Sequence, residues 1–217
     1  MSLLTIAVLT GRRPRLLDAT LQDFLAKHAS VWALASKVVF HNSGDDETAQ
    51  VLDLYDWDRR EVSDGPLLGC GEASQYLGAL ALSQKSRFVM RLEDDWACLP
   101  VDWLDDAVDV LADRTVGQVR LHHSSVPTQT VNMVTKRKLT WKPYRDTGHL
   151  IADAHYTHRP SLMRSSDFAA LFPYRNEFHA MRRFRLTGMQ VVQHQPGVFT
   201  HIGDGELSLV RHPDGAP

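Results

Sequence analysis

The chain has 217 residues, of which 43% are hydrophobic and 23% charged, the composition of an ordinary soluble globular protein with one sizeable core. Its formal net charge of -2 gives no overall attraction to nucleic acid or to anionic membranes. Two cysteines, Cys70 and Cys98, cannot form a disulfide framework or a cysteine-based zinc site, and no segment resembles a signal peptide or a membrane span. We therefore expect a cytoplasmic protein without a membrane partner.

The first 122 residues alternate between apolar, strand-like segments and amphipathic, helix-like segments. Strands are predicted over 3–9, 37–41, 59–62, 87–92 and 116–121. Helices are predicted between them, over 14–27, through 51–54, over 73–85 and over 100–111. This β-α rhythm predicts an α/β fold with a mostly parallel sheet flanked by helices.

Beyond residue 122 the pattern is less regular. Residues 124–150 are polar and basic without a helical period, which predicts loops or an edge hairpin. A strand-like segment over 155–162 precedes a predicted helix over 165–172, and a further helix and a short strand are predicted at 176–186 and 189–192. The polar, glycine-containing tail after Ile202 predicts a flexible end.

Three adjacent carboxylates, Glu93, Asp94 and Asp95, follow the apolar strand over 87–92 and precede Trp96. Ionised carboxylates at a buried strand end require water or a cation, and their oxygens favour Mg²⁺, Mn²⁺ or Ca²⁺. Ligands of open α/β sheets bind at the carboxyl ends of the strands. On an extended segment Glu93 and Asp95 point to one side and can share a cation, while Asp94 points to the other. A solvated acidic turn that caps the next helix is the alternative.

The order of these segments resembles the GT-A fold of nucleotide-sugar glycosyltransferases, especially the small family-2-like kind. The matching motifs are Thr10-Gly11-Arg12-Arg13-Pro14, Asn42-Ser43-Gly44-Asp45-Asp46, Gly69-Cys70-Gly71-Glu72-Ala73-Ser74, and Glu93-Asp94-Asp95 as a variant of the D-x-D motif. The resemblance covers residues 3–122 and extends more loosely over 155–203. It implies a nucleotide-sugar-binding half over 1–122, followed by an irregular acceptor-binding and C-terminal region over 123–217 of the same domain.

The resemblance also implies a Mn²⁺ or Mg²⁺ cofactor that bridges the acidic triad and the diphosphate of a nucleotide-sugar donor. Asp95 is then the direct metal ligand, Glu93 acts through water or contacts the ribose, and Asp94 lies near the sugar as a catalytic residue. The remaining donor contacts are assigned to Thr10, Gly11, Arg12, Arg13, Asn42, Asp45 and Ser74. Two departures concern the nucleotide: family members often carry Asp at the position of Asn42, and a basic residue within 72–75.

Two residues of the second half complete the implied site. His201 follows the apolar run over 198–200, and the resemblance implies that it completes the metal shell; a histidine satisfied by backbone hydrogen bonds is the alternative. Glu177 is the candidate base that deprotonates the acceptor hydroxyl if transfer inverts the anomeric centre. A first-turn glutamate favoured by the helix dipole is the alternative. Asp153 and Asp167 are weaker candidates for the base.

The basic segment from Lys136 to Arg145 interleaves cations with Trp141 and Tyr144. This composition suits a solvated loop, a lid over the nucleotide sugar, or a strip that binds a polyanionic acceptor such as DNA. The resemblance thus predicts a metal-dependent glycosyltransferase that moves a sugar from a nucleotide-diphosphate donor to an acceptor hydroxyl. The acceptor could be a modified base in DNA, as for some bacteriophage enzymes.

Two alternatives remain open at the level of sequence. A nucleotidyltransferase of similar fold also uses metal and carboxylates, but it normally has a Gly-rich, Lys-containing loop after the first strand, of which Gly11-Arg12-Arg13 is only a short version. The other alternative is a non-catalytic module that binds nucleotide sugars without turning them over.

Overall fold

A computed structural model describes residues 2–122 and 131–202 of the chain. The strands of this part are β1 Leu4–Thr10, β2 Ser36–His41, β3 Arg59–Val62, β4 Phe88–Glu93, β5 Trp96–Cys98, β6 Val116–Arg120, β7 Lys142–Pro143, β8 Leu150–Ala152, β9 Ser161–Arg164, β10 Gln190–Gln193 and β11 Phe199–His201. The helices are α1 Pro14–Leu34, α2 Asp46–Leu52, α3 Cys70–Ser83, α4 Leu104–Ala112, α5 Ser165–Ala170 and α6 Glu177–Leu186.

Nine of these strands form one mixed sheet in the order β3-β2-β1-β4-β9-β6-β10-β8-β7. Neighbours from β3 to β4 are parallel, as are β6 and β10, whereas β9 runs antiparallel between β4 and β6. The parallel strands therefore end at one edge, where the loops after β1, β2 and β4 meet. The predicted α/β class, a mostly parallel sheet flanked by helices, is confirmed.

The sheet is covered on both faces, which explains why its central strands are buried on both sides and mostly apolar. In β1, Ile6 and Val8 join the hydrophobic cluster that includes residues of α1 and α4. Ala7 and Leu9, on the opposite face, pack in a second cluster with residues of α3, α5 and α6. All seven residues of β1 are buried, so this strand fixes the loop that follows it from both sides.

Several boundaries differ from those expected. Helix α1 continues to Leu34, beyond the predicted end at 27, because Trp32 packs in the core after a kink at His28. Helix α4 begins at Leu104 rather than near 100, because the chain first forms β5, which pairs with β11 as a separate two-stranded sheet.

The second half contains the edge hairpin that was predicted within 124–150, as β7 and β8. The strand predicted over 155–162 is wrong for residues 155–160, since β9 begins only at Ser161 and ends at Arg164. The segment 123–130 and the tail from residue 203 lie outside the described residues. Among the helices of the described part, none is long and apolar enough to cross a bilayer.

Candidate active site at the carboxyl edge of the sheet

The acidic triad lies where β4 passes into β5. Strand β4 ends at Glu93. Asp94 and Asp95 then form a turn, and β5 begins at Trp96. The extended conformation expected over these residues is therefore not observed. Asp94 and Asp95 both contact the guanidinium of Arg13, whereas Glu93 lies 3.7 Å from the guanidinium of Arg91. The turn thus divides the triad into two parts with different cationic neighbours.

Asp94 is fully buried beneath the loop that follows β1. Its Oδ2 accepts hydrogen bonds from the Thr10 hydroxyl at 2.8 Å and from the Gly11 amide at 3.3 Å, and its Oδ1 pairs with Arg13. Burial raises the pKa of Asp94 to about 7, although the charge of Arg13 opposes the shift. In these contacts Asp94 anchors the loop, and its catalytic contact with a sugar stays a prediction.

Asp95 lies beside His201, which is more than one hundred positions away in the sequence. Its Oδ2 accepts a hydrogen bond from Arg13 Nη1 at 2.7 Å and lies 3.2 Å from His201 Nε2. The pairing of β5 with β11 places His201 opposite Trp96, and the amide of Ile202 donates to the Asp95 carbonyl at 2.9 Å. A backbone ladder therefore holds the imidazole against the carboxylate.

The Asp95–His201 pair fits a divalent cation. Asp95 Oδ1 is buried and has no hydrogen-bond partner among the described residues. Such an orphaned carboxylate oxygen is costly unless a cation or water satisfies it. A carboxylate oxygen from the turn before β5 and an imidazole nitrogen from β11 are suitable ligands for Mn²⁺. The direct metal ligands predicted from the sequence, Asp95 and His201, are thus brought together, whereas Glu93 faces Arg91.

Glu93 belongs to a buried polar cluster under α3. Arg91, which is 3% exposed, donates from Nη2 to Ser74 Oγ at 2.6 Å, and Ser74 in turn donates to the Cys70 carbonyl at 2.5 Å. Burial raises the pKa of Glu93; Arg91 counteracts this shift, and the charges of Asp95 and Glu177 add to it. Ser74 is fully buried, so its contact here is with Arg91 and not with a site surface.

Glu177, the predicted base, is the first residue of α6. The helix is capped by Asn176, whose side chain accepts from the His179 amide at 3.0 Å, and Glu177 Oε1 accepts from the His158 amide at 3.0 Å. A Cβ atom on Gly71 would lie 2.5 Å from Asn176 Cα, so α3 and the start of α6 approach each other closely. This packing, together with the electrostatic effect on Glu93, places Glu177 near the triad.

The loop after β2 supports the loop after β1. The Asn42 side-chain amide donates to the Leu68 carbonyl at 2.9 Å and accepts from the Leu68 amide at 3.1 Å. Asp45 caps α2 by accepting from the Thr48 amide at 2.8 Å, and it accepts from the Arg12 amide at 3.3 Å. Partial burial opposes ionisation of Asp45, but hydrogen bonds from Ser43 and Thr48 hold its pKa well below the usual range. The contacts of Asn42 and Asp45 order loops; their predicted contact with a nucleotide stays a prediction.

The basic segment exposes its cations but not its aromatic rings. Lys136 and Arg145 are exposed, and Arg145 Nη2 pairs with Asp113 at 2.7 Å. Tyr144 is 5% exposed and donates to the same carboxylate, while Trp141 lies under the buried Arg120 at 5.8 Å. The described ring positions therefore do not form a platform on which bases could stack.

Two residues that support the site are not predicted from the sequence. Arg91 stands two positions before Glu93 on the same strand, and this alternation could have indicated that both side chains share a face. Thr20 Oγ1 accepts from the Trp96 amide at 3.1 Å, a contact without a local sequence signal. The weaker candidate Asp167 is paired with Arg164, and Asp153 is exposed.

No protein-family model matches the sequence, and no curated protein matches it. Solved structures do resemble the fold. The Staphylococcus aureus TarS fragment 1–349, solved in complex with UDP-GlcNAc, has a TM-score of 0.64 at 15% identity; the match covers 97% of this chain and 62% of that one. GalNAc-T7 with UDP, GalNAc and Mn²⁺ has a TM-score of 0.66 at 11% identity over 93% of this chain and 44% of its own.

A third similar structure is the Pyrobaculum calidifontis mannosyltransferase PcManGT in complex with GDP-Man and Mn²⁺. Its TM-score is 0.63 at 15% identity, over 94% of this chain and 58% of that chain. The chain thus spans less than two thirds of the length of each of these three structures. At these identities the similarity shows the fold, and the chain has the GT-A fold.

Proposed function

We propose that this GT-A-fold chain is a metal-dependent glycosyltransferase that moves a sugar from a nucleotide-diphosphate donor to an acceptor hydroxyl. The observation that carries the proposal is the convergence of Asp95, His201 and Arg13 at the carboxyl edge of the sheet, with one oxygen of Asp95 buried and without a hydrogen-bond partner in the described structure. The structures of GalNAc-T7 with UDP, GalNAc and Mn²⁺ and of PcManGT with GDP-Man and Mn²⁺ support it.

In the proposed reaction Asp95 and His201 hold Mn²⁺ or Mg²⁺. The cation, when bound, neutralises the diphosphate as its bond to the sugar breaks. The Arg13 side chain is 29% exposed and contacts both aspartates. It therefore adds positive charge where the diphosphate is held. The loop of Thr10, Gly11 and Arg12, fixed by Asp94 and Asp45, faces the nucleotide.

Glu177 acts as the base in this proposal. The His158 amide donates to Oε1 of Glu177 and so fixes one of its oxygens at the N-terminus of α6. The other oxygen is the one that takes the proton from the acceptor hydroxyl. Glu93, which shares the cluster with Arg91, binds the ribose or a metal-bound water on the same side of the site.

The exposed cations of the basic segment indicate which acceptor the protein could bind. The exposed cations of the basic segment are Lys136, Arg137, Lys138, Lys142 and Arg145. They suit a polyanion, and DNA with a modified base is the acceptor that we propose among polyanions. Because the rings of this segment are buried or half-buried, contact would be made to phosphates rather than by stacking on bases.

The test uses the purified chain with UDP-, GDP-, CMP- and TDP-sugars, with and without Mn²⁺ or Mg²⁺, and with duplex DNA carrying hydroxymethylated bases among the acceptors. We expect cation-dependent release of a nucleoside diphosphate or of the CMP leaving group, and a loss of roughly 100-fold or more in Asp95→Asn. Asp105→Asn, an exposed carboxylate on α4, is the matched control and should retain activity.

Other outcomes separate the alternatives. Release of pyrophosphate from a nucleoside triphosphate and a sugar phosphate would indicate a nucleotidyltransferase. Cation-dependent binding of a nucleotide sugar without transfer or hydrolysis would indicate a binding module. Near-normal turnover in Asp95→Asn would refute the assignment of the site, and Glu177→Gln with unchanged turnover would refute the assignment of the base.

A further inference from the structure

A cluster of Asp106, His149 and His194 lies outside the candidate active site and shares no residue with it. Asp106 is on α4, His149 precedes β8 and His194 follows β10. The Nε2 atoms of His149 and His194 lie 2.8 and 3.1 Å from the same Asp106 oxygen, Oδ2. One ligand atom from each of the three residues lies within 4.8 Å of those of the other two.

The burial of the cluster is uneven. The imidazole side chains of His149 and His194 are 2% exposed each, and their ring centroids are 4.5 Å apart. The Asp106 side chain is 46% exposed. The two nitrogens therefore lie inside the protein, and the carboxylate provides an opening through which an ion could enter from solvent.

His194 presents a lone pair to the cluster. Its Nδ1 is 2.7 Å from the Pro196 carbonyl, which only accepts hydrogen bonds, so Nδ1 carries a proton. With the proton on Nδ1, Nε2 of the neutral imidazole carries the lone pair that a cation binds. Nε2 is buried, and Asp106 Oδ2 lies 3.1 Å from it. A metal-ligating histidine typically has this arrangement, with its other N–H donated to a backbone carbonyl.

His149 is held differently. Its Nδ1 accepts from the Gln195 amide at 3.0 Å, so its proton lies on Nε2 and is donated to Asp106. Coordination through Nε2 requires that this proton move to Nδ1 and that the Gln195 hydrogen bond be given up. Asp106 and His194 can therefore bind an ion without a change of hydrogen-bond partners. His149 can bind it only after losing its hydrogen bond to the Gln195 amide.

We propose that Asp106, His149 and His194 bind a zinc-class divalent cation. Two imidazoles and one carboxylate favour Zn²⁺ over Mg²⁺ or Ca²⁺, which prefer sets of oxygen ligands. Tetrahedral zinc with bonds of about 2.0–2.2 Å separates its ligand atoms by roughly 3.3–3.6 Å. The observed contacts to Asp106, at 2.8 and 3.1 Å, need to open by roughly 0.2–0.8 Å, and water takes the fourth position on the exposed side.

Such an ion joins three segments that are distant in the sequence. It ties α4 and strand β8 to the chain that leaves β10 and continues into β11, which carries His201. Its predicted effect is to stabilise the fold at this edge. Because the site is separate, its presence does not depend on the proposed glycosyltransferase activity.

The test uses tag-free protein that has been stripped of metal with a chelator and then dialysed. Asp95→Asn is the background, so that the candidate active site does not contribute, and Zn²⁺ is titrated by calorimetry and Co²⁺ by visible absorption. We expect one equivalent of tightly bound metal, a Co²⁺ spectrum typical of four ligands, and a rise in Tm with Zn²⁺. Adding His194→Ala should remove all three signals.

The control variants separate loss of the metal site from a general loss of charge or of the fold. Asp105→Asn changes the neighbouring exposed carboxylate on α4 and should leave the binding intact. If His194→Ala does not fold, as judged by circular dichroism, Asp106→Asn and His149→Gln replace it and should weaken Zn²⁺ binding at least about tenfold. The absence of a bound equivalent in the Asp95→Asn background, or equal binding in the Asp106→Asn and Asp105→Asn forms, would overturn the proposal.

Discussion

Arg13 is the cation that the two buried aspartates share, so its removal should reveal how much the site depends on positive charge. Its guanidinium contacts Asp94 Oδ1, and Nη1 lies 2.7 Å from Asp95 Oδ2. In Arg13→Gln both carboxylates stay buried without this partner. Breaking a fully buried ion pair costs about 3–5 kcal/mol. Because the Arg13 side chain is 29% exposed, water screens part of the interaction, and we expect a loss of about 2 kcal/mol at pH 8.

The loss should depend on pH in a defined direction. Burial raises the pKa of Asp94 to about 7 even with Arg13 present, and removal of the cation raises it further. An acid whose pKa is raised in the folded state binds more protons when folded, so stability is full at low pH and falls as pH rises through the folded pKa. The destabilisation by Arg13→Gln should therefore be smaller at pH 5.5, about 1 kcal/mol, than at pH 8.

Urea unfolding monitored by tryptophan fluorescence at both pH values measures this effect. Arg12→Gln is the matched control, since Arg12 is the exposed neighbour in the same loop. The double variant with Asp94→Asn should lose most of the pH dependence, because the titrating group is gone. Equal destabilisation at pH 5.5 and pH 8, or an equal effect of Arg12→Gln, would contradict the charge argument.

Two further predictions concern the loops and helices that frame the site. Asp45→Ala should lower the free energy of unfolding by about 1–2 kcal/mol near pH 7, because it removes the cap of α2. Since the pKa of Asp45 is lowered in the folded protein, this destabilisation should shrink as pH falls below about 4. In the same urea titrations the control Asp46→Ala should show little destabilisation. Gly71→Ala should lower stability by about 1–2 kcal/mol, because its Cβ would lie 2.5 Å from Asn176 Cα. In the control Gly65→Ala nothing lies within 4 Å of the added Cβ, so the unfolding midpoint should be unchanged. Equal midpoints for the two glycine variants would refute the close approach of α3 to the start of α6.

The sequence predicted the local elements of the first half because strands and helices there have clear periods. The apolar run of β1, the proline that starts α1 and the capping sequence around Asp45 are all local signals. The position of β9 is not local: it enters antiparallel between β4 and β6, and only pairing over long sequence distances determines that order. Likewise, β5 forms because β11 pairs with it, and the three-residue segment Trp96–Cys98 has no independent strand signal.

The same distinction applies to the site. The motif identified the acidic residues, but the alternation expected for a strand does not hold once the chain turns at Asp94 and Asp95. The grouping of Glu93 with Arg91, and of Asp94 and Asp95 with Arg13, follows from that turn. The Asp106–His149–His194 cluster had no sequence signal at all, because each ligand comes from a different element and the spacing between them follows no local period.

The charge balance of the site links the cation to the donor. Within the described residues, the four carboxylates of Glu93, Asp94, Asp95 and Glu177 lie near the guanidinium groups of Arg13, Arg91 and Arg120. A diphosphate adds further negative charge, so under the proposed function the donor binds poorly unless a divalent cation accompanies it. The coupling between the two ligands is reciprocal. If the cation raises the affinity for the donor by some factor, the donor raises the affinity for the cation by the same factor. Under the proposed function, this mutual dependence originates at the buried Oδ1 of Asp95.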